Sequence, residues 1–152
     1  YVNVALAFNA LGQNDKAEAN LRRALSLDPT NSVAQLNLGM LLAEMGRMAE
    51  AERAFRAAFK ADPRSAQAAY NLGVSLSKAN PQEALDWCRR AAELGRDNPQ
   101  YGYSYAFYLH QAGRLDQAIE VIRSVRERFP GHEDSAQLEQ ALLREWRSAE
   151  GK

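Results

Sequence analysis

Glycine and proline residues recur along this chain with a period of about 34 residues. Pro29 and Pro63 lie 34 residues apart, and Gly12 and Gly46 have the same separation. A fixed period of this length is typical of proteins that stack one supersecondary unit on the next, because a single unit of this size cannot bury its own apolar face. The period therefore predicts a solenoid of similar units.

The third unit is one residue shorter than the others. Gly73 and Ala84 are separated by 11 residues, whereas the corresponding pair, Gly39 and Ala51, is separated by 12. The missing residue is predicted to lie in the turn between the two halves of the third unit.

Each unit has the pattern of two antiparallel helices. If Ser32 is position 1 of the second unit, the residues at positions 4, 7, 8 and 11 have the i, i+3, i+4, i+7 spacing of one helix face, and positions 20, 24 and 27 form a second stripe. Glycine or alanine at positions 8 and 20 lets the two helices approach closely. Asn31, Ser65 and Asn98 precede the first helix of a unit and are predicted N-caps. The sequence therefore predicts an all-α fold.

These residues resemble the tetratricopeptide repeat family. The second unit matches the family pattern throughout, with Leu38, Gly39, Leu42, Ala51, Phe55, Ala58 and Pro63. The resemblance implies a right-handed solenoid of antiparallel helix pairs, in which the first helix of each pair lines the concave side. The third unit has Arg96 in place of the pattern's proline, and its segment 87–95 is also similar to the related Sel1-type repeat.

The chain is predicted to be one domain of this type over residues 1–152. Its repeats are expected at about 1–31, 32–65, 66–98 and 99–132, followed by a capping helix over 133–149 that covers the last apolar face. Because a helical pattern begins directly after Tyr1 without an initiator methionine, we expect the chain to be part of a longer protein. Its compartment is therefore unknown, with the cytoplasm only slightly favoured.

The composition argues against several classes of function. Lys and Arg together number 19, as do Asp and Glu, so no net field attracts nucleic acid or an anionic membrane. One cysteine, Cys88, and two histidines do not supply the usual ligands of a structural zinc site, and Cys88 occupies an apolar core position. No nucleophile elbow, phosphate-binding loop or metalloprotease motif is present. We expect no metal, no cofactor and no catalytic residue, and the chain is predicted not to be an enzyme.

The candidate binding residues lie on the first helix of each unit, opposite the stripe that packs within the pair. These positions are polar in a simple surface helix, whereas half of them are apolar in this chain. Given the resemblance, they are expected to line the concave groove, where a contiguous apolar surface indicates a partner site. The apolar candidates are Leu6, Val33, Leu36, Met40, Tyr70, Val74, Tyr103 and Phe107.

A polar position recurs beside these apolar residues. Asn3, Asn37 and Asn71 follow one another at intervals of 34, and Ser104 follows after 33. A carboxamide both donates and accepts hydrogen bonds, so it can pair with the backbone of an extended peptide whatever the peptide's side chains are. The four residues are predicted to contact a peptide backbone. The alternative is that the amides only satisfy local hydrogen bonds.

The resemblance also bears on the class of partner. Family members that hold the acidic carboxyl terminus of Hsp70 or Hsp90 use basic and amide side chains at five positions. In this chain those positions hold Val2, Leu6, Asn37, Gln67 and Asn71. Only Asn37 matches, and the basic anchors are missing. The expected ligand is a neutral or apolar extended segment, not an acidic chaperone tail.

The predicted function is therefore that of a protein–protein interaction module that binds an extended peptide or partner segment. Two alternatives fit the same residues. The chain can be a targeting or regulatory arm of a larger multidomain enzyme, or a structural scaffold that associates with itself.

The second helices carry arginine at one repeated outward position. These residues are Arg22, Arg56, Arg89 and Arg123. Glu18 lies four residues before Arg22, and Asp86 lies four before Arg90, which is the favourable order for ion pairs within a helix. We interpret this side as a solvated face held by such pairs.

Overall fold

The computed structural model describes residues 1–151, which form nine α-helices and contain no β-strand. They are α1 (Val2–Ala10), α2 (Asn14–Leu27), α3 (Ser32–Glu44), α4 (Met48–Ala61), α5 (Ala66–Leu76), α6 (Pro81–Leu94), α7 (Pro99–Gln111), α8 (Leu115–Arg128) and α9 (Glu133–Glu150). The first eight form four antiparallel pairs. We call α1, α3, α5 and α7 the first helices, and α2, α4, α6 and α8 the second helices. The predicted all-α class is confirmed.

The helix pairs stack into a curved solenoid. Each helix packs against the next one along the chain, both within a pair and between pairs. First helices also contact one another, α1 with α3 and α3 with α5, and α7 contacts α9. No two second helices are in comparable backbone contact within residues 1–151. The stack therefore curves toward its first helices, which line the concave face of a right-handed solenoid of antiparallel helix pairs.

Glycine in the left-handed backbone region closes three of the four hairpins. These residues are Gly12 (φ +71°), Gly46 (φ +76°) and Gly113 (φ +74°). A side chain is strained in this region, so glycine favours the turn. In the third hairpin the backbone N–H of Asn80 donates to the carbonyl of Leu76 at 2.8 Å, and the Asn80 side chain accepts from the backbone N–H of Glu83. Asn80 therefore begins α6 with an N-cap and the shorter turn needs no glycine.

The predicted N-caps of the first helices are confirmed. The side chain of Asn31 accepts a hydrogen bond from the backbone N–H three residues further on at 2.9 Å, and Ser65 does the same at 3.1 Å. Asn98 accepts from the backbone N–H of Gln100 at 3.0 Å, and Pro99 begins α7. Each cap satisfies a backbone donor that the start of a helix leaves free.

Glycine lets the two helices within the second pair, and the two helices within the third pair, cross closely. A Cβ on Gly39 would lie 2.5 Å from the ring of Phe55, and a Cβ on Gly73 would lie 2.6 Å from Sγ of Cys88. Cys88 is fully buried, and burial raises the pKa of its thiol to about 12. The thiol therefore stays protonated and packs as a small apolar group, as its position in the repeat predicts.

The buried apolar residues form two clusters. The amino-terminal core runs from Ala5 in α1 to Ala84 in α6 and includes Phe55. The carboxy-terminal core joins Leu85 of α6 to residues of α7, α8 and α9, among them Leu142. Consecutive residues of α6 thus belong to different cores. In the described part of the chain, no helix combines the length and the apolar character needed to cross a bilayer.

Candidate partner-binding face

Each first helix exposes an apolar side chain on the concave face. Leu6 of α1 is 45% exposed, Val33 of α3 is 55%, Val74 of α5 is 38% and Phe107 of α7 is 36%. Water covers these side chains in the isolated chain. A row of this kind along one side of a stack is a surface on which a partner gains apolar burial.

Other predicted residues lie on the same helices but are partly covered by neighbours. Leu36 and Met40 of α3 pack against the amino-terminal core. The Met40 sulfur accepts a hydrogen bond from Nε2 of Gln67 at 3.7 Å, which joins α3 to α5. Tyr70 packs on Tyr101 with ring centroids 5.1 Å apart, which joins α5 to α7. These side chains therefore fix the spacing between neighbouring first helices.

Tyr103 and Phe107 form an aromatic surface at the carboxy-terminal end of the face. Their rings are stacked with centroids 6.4 Å apart, and the ring of His132 meets Tyr103 edge-on at 6.2 Å. Such contacts restrict the rings to one orientation. Tyr103 and Phe107 therefore present an ordered aromatic surface.

The repeated amide position has a different environment in each repeat. Asn3 is exposed, whereas Asn37 donates its side-chain N–H to the carbonyl of Val33 at 2.8 Å. Nδ2 of Asn71 is buried and has no hydrogen-bond partner among residues 1–151. A buried donor without a partner costs about 1–3 kcal/mol. Asn71 is therefore the member of this set with most to gain from an acceptor that a ligand brings.

Ser104, at the fourth amide position, lies below the surface. It is 7% exposed, and its hydroxyl accepts from Nε2 of Gln100 on the same helix at 3.4 Å. A sequence period assigns residues to a helix face but not to a depth, so only the structure distinguishes Ser104 from the exposed Asn3.

The first helices carry almost no formal charge. Glu44 near the end of α3 is the only Asp, Glu, Lys or Arg within the four helices. His110 of α7 lies with its Nε2 2.7 Å from a carboxylate oxygen of Glu145 in α9. The middle of the concave face is therefore uncharged. An acidic or basic segment finds no counter-charge there.

The outer side of the second helices holds ion pairs between repeats. Arg22 contacts Glu18 at 2.7 Å, as predicted. Arg47 contacts Glu18 and Glu50 at 2.7 Å each, and these bonds lower the pKa of both carboxyl groups. Because Glu18 lies in α2 and Arg47 precedes α4, this network bridges two pairs.

A second bridge joins α4 to α6. Arg56 contacts Glu52 and Glu83 at 2.8 Å each, and its hydrogen bond lowers the pKa of the Glu83 carboxyl group. The Glu83 carboxylate also accepts from the indole N–H of Trp87 at 3.1 Å.

The predicted pair between Asp86 and Arg90 is wrong. The Arg90 guanidinium lies over the ring of Trp87, 4.9 Å from its centroid, and Asp86 is 3.8 Å from Arg89 instead. The i+4 spacing allowed the pair, but the aromatic ring is the nearer partner because a guanidinium stacks on a flat apolar surface.

Open cavities lie away from the concave face. One, of about 550 Å³, lies between α8 and α9 against Ile119, Leu143 and Trp146. Another lies on the outer side where α6, α7 and α8 meet, next to Tyr105 and several arginines. The repeat pattern predicted neither cavity. Within residues 1–151 the first arises where α8 lacks the following second helix that α2, α4 and α6 have, whereas the second has a counterpart lined by α2, α3 and α4. The one sequence feature that pointed to the first cavity was Trp146, a tryptophan in a helix predicted only to cap the stack.

Within the described residues no group of three or more histidine, cysteine, aspartate or glutamate side chains is placed to hold a metal ion. The residues brought together on the concave face are apolar, aromatic and amide side chains.

The fold and this face define the class of helical-repeat scaffold proteins. Three tetratricopeptide repeat models match the chain consecutively: a "TPR repeat" model over residues 5–46, and "Tetratricopeptide repeat" models over residues 36–99 and 99–124. The chain belongs to the tetratricopeptide repeat family. The local similarity of 87–95 to the Sel1-type repeat has no support from these matches. Among curated protein sequences, none matches this chain.

Solved structures with the same fold support this assignment. YrrB, described as a TPR protein with an unusual peptide-binding site, is 26% identical with a TM-score of 0.81, over 97% of this chain and 76% of that one. PilF from Pseudomonas aeruginosa is 22% identical with a TM-score of 0.84, over 97% and 68% of the two chains. MamA is 20% identical with a TM-score of 0.79, over 100% and 99%.

Proteins of this family generally act as non-catalytic modules that bind proteins or peptides. The fold thus indicates a protein–protein interaction module, and the composition of the face bears on what it binds.

Proposed function

We propose that this chain binds an extended, neutral or apolar segment of a partner protein along the concave face of α1, α3, α5 and α7. The observation that carries the proposal is the row of exposed apolar side chains, one from each first helix: Leu6, Val33, Val74 and Phe107. A partner that covers this row removes apolar surface from water at about 25 cal/mol per Å².

The electrostatics of the face favour an uncharged ligand. Desolvating a charged side chain is costly unless an opposite charge is nearby, and Glu44 is the only formally charged residue of the four first helices. An acidic chaperone tail therefore lacks the cations that would hold it.

The amides favour a ligand in extended conformation. An extended segment presents unpaired backbone N–H and C=O groups at regular intervals. Nδ2 of Asn71 has no hydrogen-bond partner among residues 1–151, so we expect it to donate to a ligand carbonyl that comes within reach. The carbonyl oxygen of Asn37 is available to accept from a ligand N–H while its own N–H stays bonded to Val33. YrrB, whose peptide-binding site lies on the same fold, gives this proposal a precedent.

The test is a peptide array followed by titration of the peptides that the native chain retains. Val74→Ser with Phe107→Ser removes apolar surface from the middle and end of the face. We expect a loss of about 2 kcal/mol, or roughly 30-fold in affinity. The matched control is Leu27→Ser with Leu94→Ser, which removes exposed apolar side chains from second helices (64% and 42% exposed).

Separate variants test the amides. Asn37→Ala with Asn71→Ala is expected to weaken binding by about 0.5–1.5 kcal/mol for each lost hydrogen bond. If the Val74 and Phe107 variant binds as tightly as the native chain, or if the control loses binding to the same degree, the concave face is not the site. If only the amide variant keeps full affinity, the apolar row binds and the amides are structural.

A further inference from the structure

An open groove with an apolar floor lies between α8 and α9. Its floor consists of Ile119 of α8 with Leu143 and Trp146 of α9, and it encloses about 550 Å³. A second cavity continues from it past Asp116 and Trp146 toward the start of α8. Trp146 is 36% exposed, so a large aromatic side chain faces water at the centre of this surface.

Other repeats indicate what covers such a groove. The equivalent groove between α2 and α3 has Arg22 and Leu42 on its walls, and α4 lies over it through Ala54 and Ala57. In the fourth repeat the corresponding wall residues are Arg123 and Leu143. The stack therefore covers this kind of groove with a helix that presents an alanine-rich face.

No helix covers α8 and α9 in this way within residues 1–151. Arg22 reaches Glu50 of the next second helix at 3.4 Å, and Arg56 reaches Glu83 at 2.8 Å. Arg123, at the same repeat position, contacts only Glu139 of α9, at 3.7 Å. Its outward side is exposed, so a helix that docks in the groove finds a guanidinium as well as an apolar floor.

The rim of the groove selects the charge of its ligand. Asp116, Glu120 and Glu127 of α8 border it and are exposed, and Arg123 is the one basic residue among its lining side chains. Three carboxylates against one guanidinium favour a ligand with net positive charge. This separates the groove from the concave face, whose first helices carry almost no charge.

We propose that the α8–α9 groove docks a basic amphipathic helix of a partner protein, with small apolar residues on Ile119, Leu143 and Trp146 and with basic residues against the carboxylates of α8. This site is separate from the concave face and does not depend on it. An apolar helix face laid into a groove is an established mode of recognition, in which anchors three or four residues apart supply the affinity.

The test uses α4, one of the chain's own second helices, as the probe, because α4 covers the equivalent groove between α2 and α3. A stapled helical peptide of residues 48–61 is made in two versions: one with Glu50 and Glu52 replaced by glutamine, which is basic, and one with Arg53 and Arg56 replaced by glutamine, which is acidic. Titration against the full chain follows peptide anisotropy. We expect the basic version to bind at least about tenfold more tightly.

Two variants locate the binding. Trp146→Ala is expected to weaken the basic probe by about tenfold or more, because the side chain supplies apolar area at the groove centre. Glu120→Lys with Glu127→Lys is expected to weaken binding of the basic probe and to strengthen binding of the acidic one. The control, Leu94→Ser on α6, leaves both affinities unchanged. Circular dichroism checks that each variant keeps its helix content.

Three outcomes overturn the proposal. The first is that neither probe binds saturably. The second is that Trp146→Ala binds the basic probe as the native chain does. The third is that the native chain dimerises with rising concentration and Trp146→Ala abolishes the dimer, in which case a second copy of the chain fills the groove instead of a partner helix.

Discussion

The interior of this stack is divided into two cores. The contacts that join neighbouring helix pairs differ between the two. In the amino-terminal core, charged side chains bridge the second helices on the outside, from Arg47 to Glu18 and from Arg56 to Glu83. At the boundary with the carboxy-terminal core no ion pair of this kind exists in the described structure, and hydrogen bonds of 3.2 Å from Arg114 to Gln82 and from Arg128 to the carbonyl of Arg96 join the outside instead. Arg89 contacts only Asp86 on its own helix, and the position equivalent to Glu83 in α8 is Gln117.

Aromatic packing also joins the third and fourth repeats, which lack the ion pair. Tyr101 packs on Tyr70 of α5, and a Cβ on Gly95 would lie 2.5 Å from the Tyr101 ring. The third and fourth repeats are therefore joined by aromatic packing and by hydrogen bonds on the outside, whereas the earlier repeats have ion pairs on the outside. Repeats of one sequence family thus form non-equivalent junctions, and the open cavity between α6, α7 and α8 lies at the junction without an ion pair.

The largest expected effect is the loss of stability when a buried side chain of one core or the other is replaced by alanine. Phe55→Ala and Ile122→Ala each remove a fully packed side chain, at a cost of about 3–4 kcal/mol. Because stability in stacked repeats is largely a sum of local terms, hydrogen exchange should increase first in α1 to α4 for Phe55→Ala and first in α7 to α9 for Ile122→Ala. Equal loss of protection across all helices in both variants would show that the two cores unfold as one unit.

A smaller effect is expected where backbones cross closely. Gly73→Ala places a Cβ 2.6 Å from Sγ of Cys88, and 3.1 Å and 3.2 Å from backbone atoms of α6. Since backbone cannot move aside as a side chain does, we expect a loss of about 2 kcal/mol in the free energy of unfolding, measured in urea. Gly131→Ala, which meets open space at ordinary φ, is the control and should change little. A neutral Gly73→Ala would contradict the close crossing.

The smallest expected effect comes from a variant that supplies the missing ion pair. Gln117→Glu places a carboxylate opposite Arg89, where the preceding repeats have Glu50 and Glu83. Surface pairs contribute little, so we expect a gain of about 0.5 kcal/mol at low salt that disappears in high salt. Gln117→Asn, which keeps the side chain neutral, is the control. A gain that persists in high salt, or that the control shares, would mean that the effect is not electrostatic.

The difference in stability between the two cores is also expected to depend on pH. Ion pairing lowers the pKa of Glu18, Glu50 and Glu83 below the usual value of 4.5. The unfolded chain therefore binds more protons in this range, and the stabilisation by these pairs is present above pH 4.5 and is lost as the pH falls through the lowered values. The amino-terminal core should accordingly lose more hydrogen-exchange protection on acidification than the carboxy-terminal core. The opposite order would contradict the role of the bridges.

The sequence predicted the fold in some detail. The period, the small residues at the crossings and the caps Asn31, Ser65 and Asn98 were sufficient because each acts through local geometry that repeats. The buried Cys88 followed in the same way from its place in the repeat. Side-chain partners were less predictable, as Arg90 illustrates, because spacing along a helix allows a pair without excluding a better contact from a neighbouring ring.

The sequence by itself determined which residues share a helix, a helix face and a repeat position, because helix periodicity and the 34-residue spacing assign these without reference to distant parts of the chain. Only the tertiary structure decided depth and coverage. It distinguished the buried Ser104 from the exposed Asn3, left Nδ2 of Asn71 without a partner among the described residues, and opened the α8–α9 groove around Trp146. The physical reason is that burial depends on what the neighbouring element places against a residue, and the neighbours of equivalent positions differ along the stack.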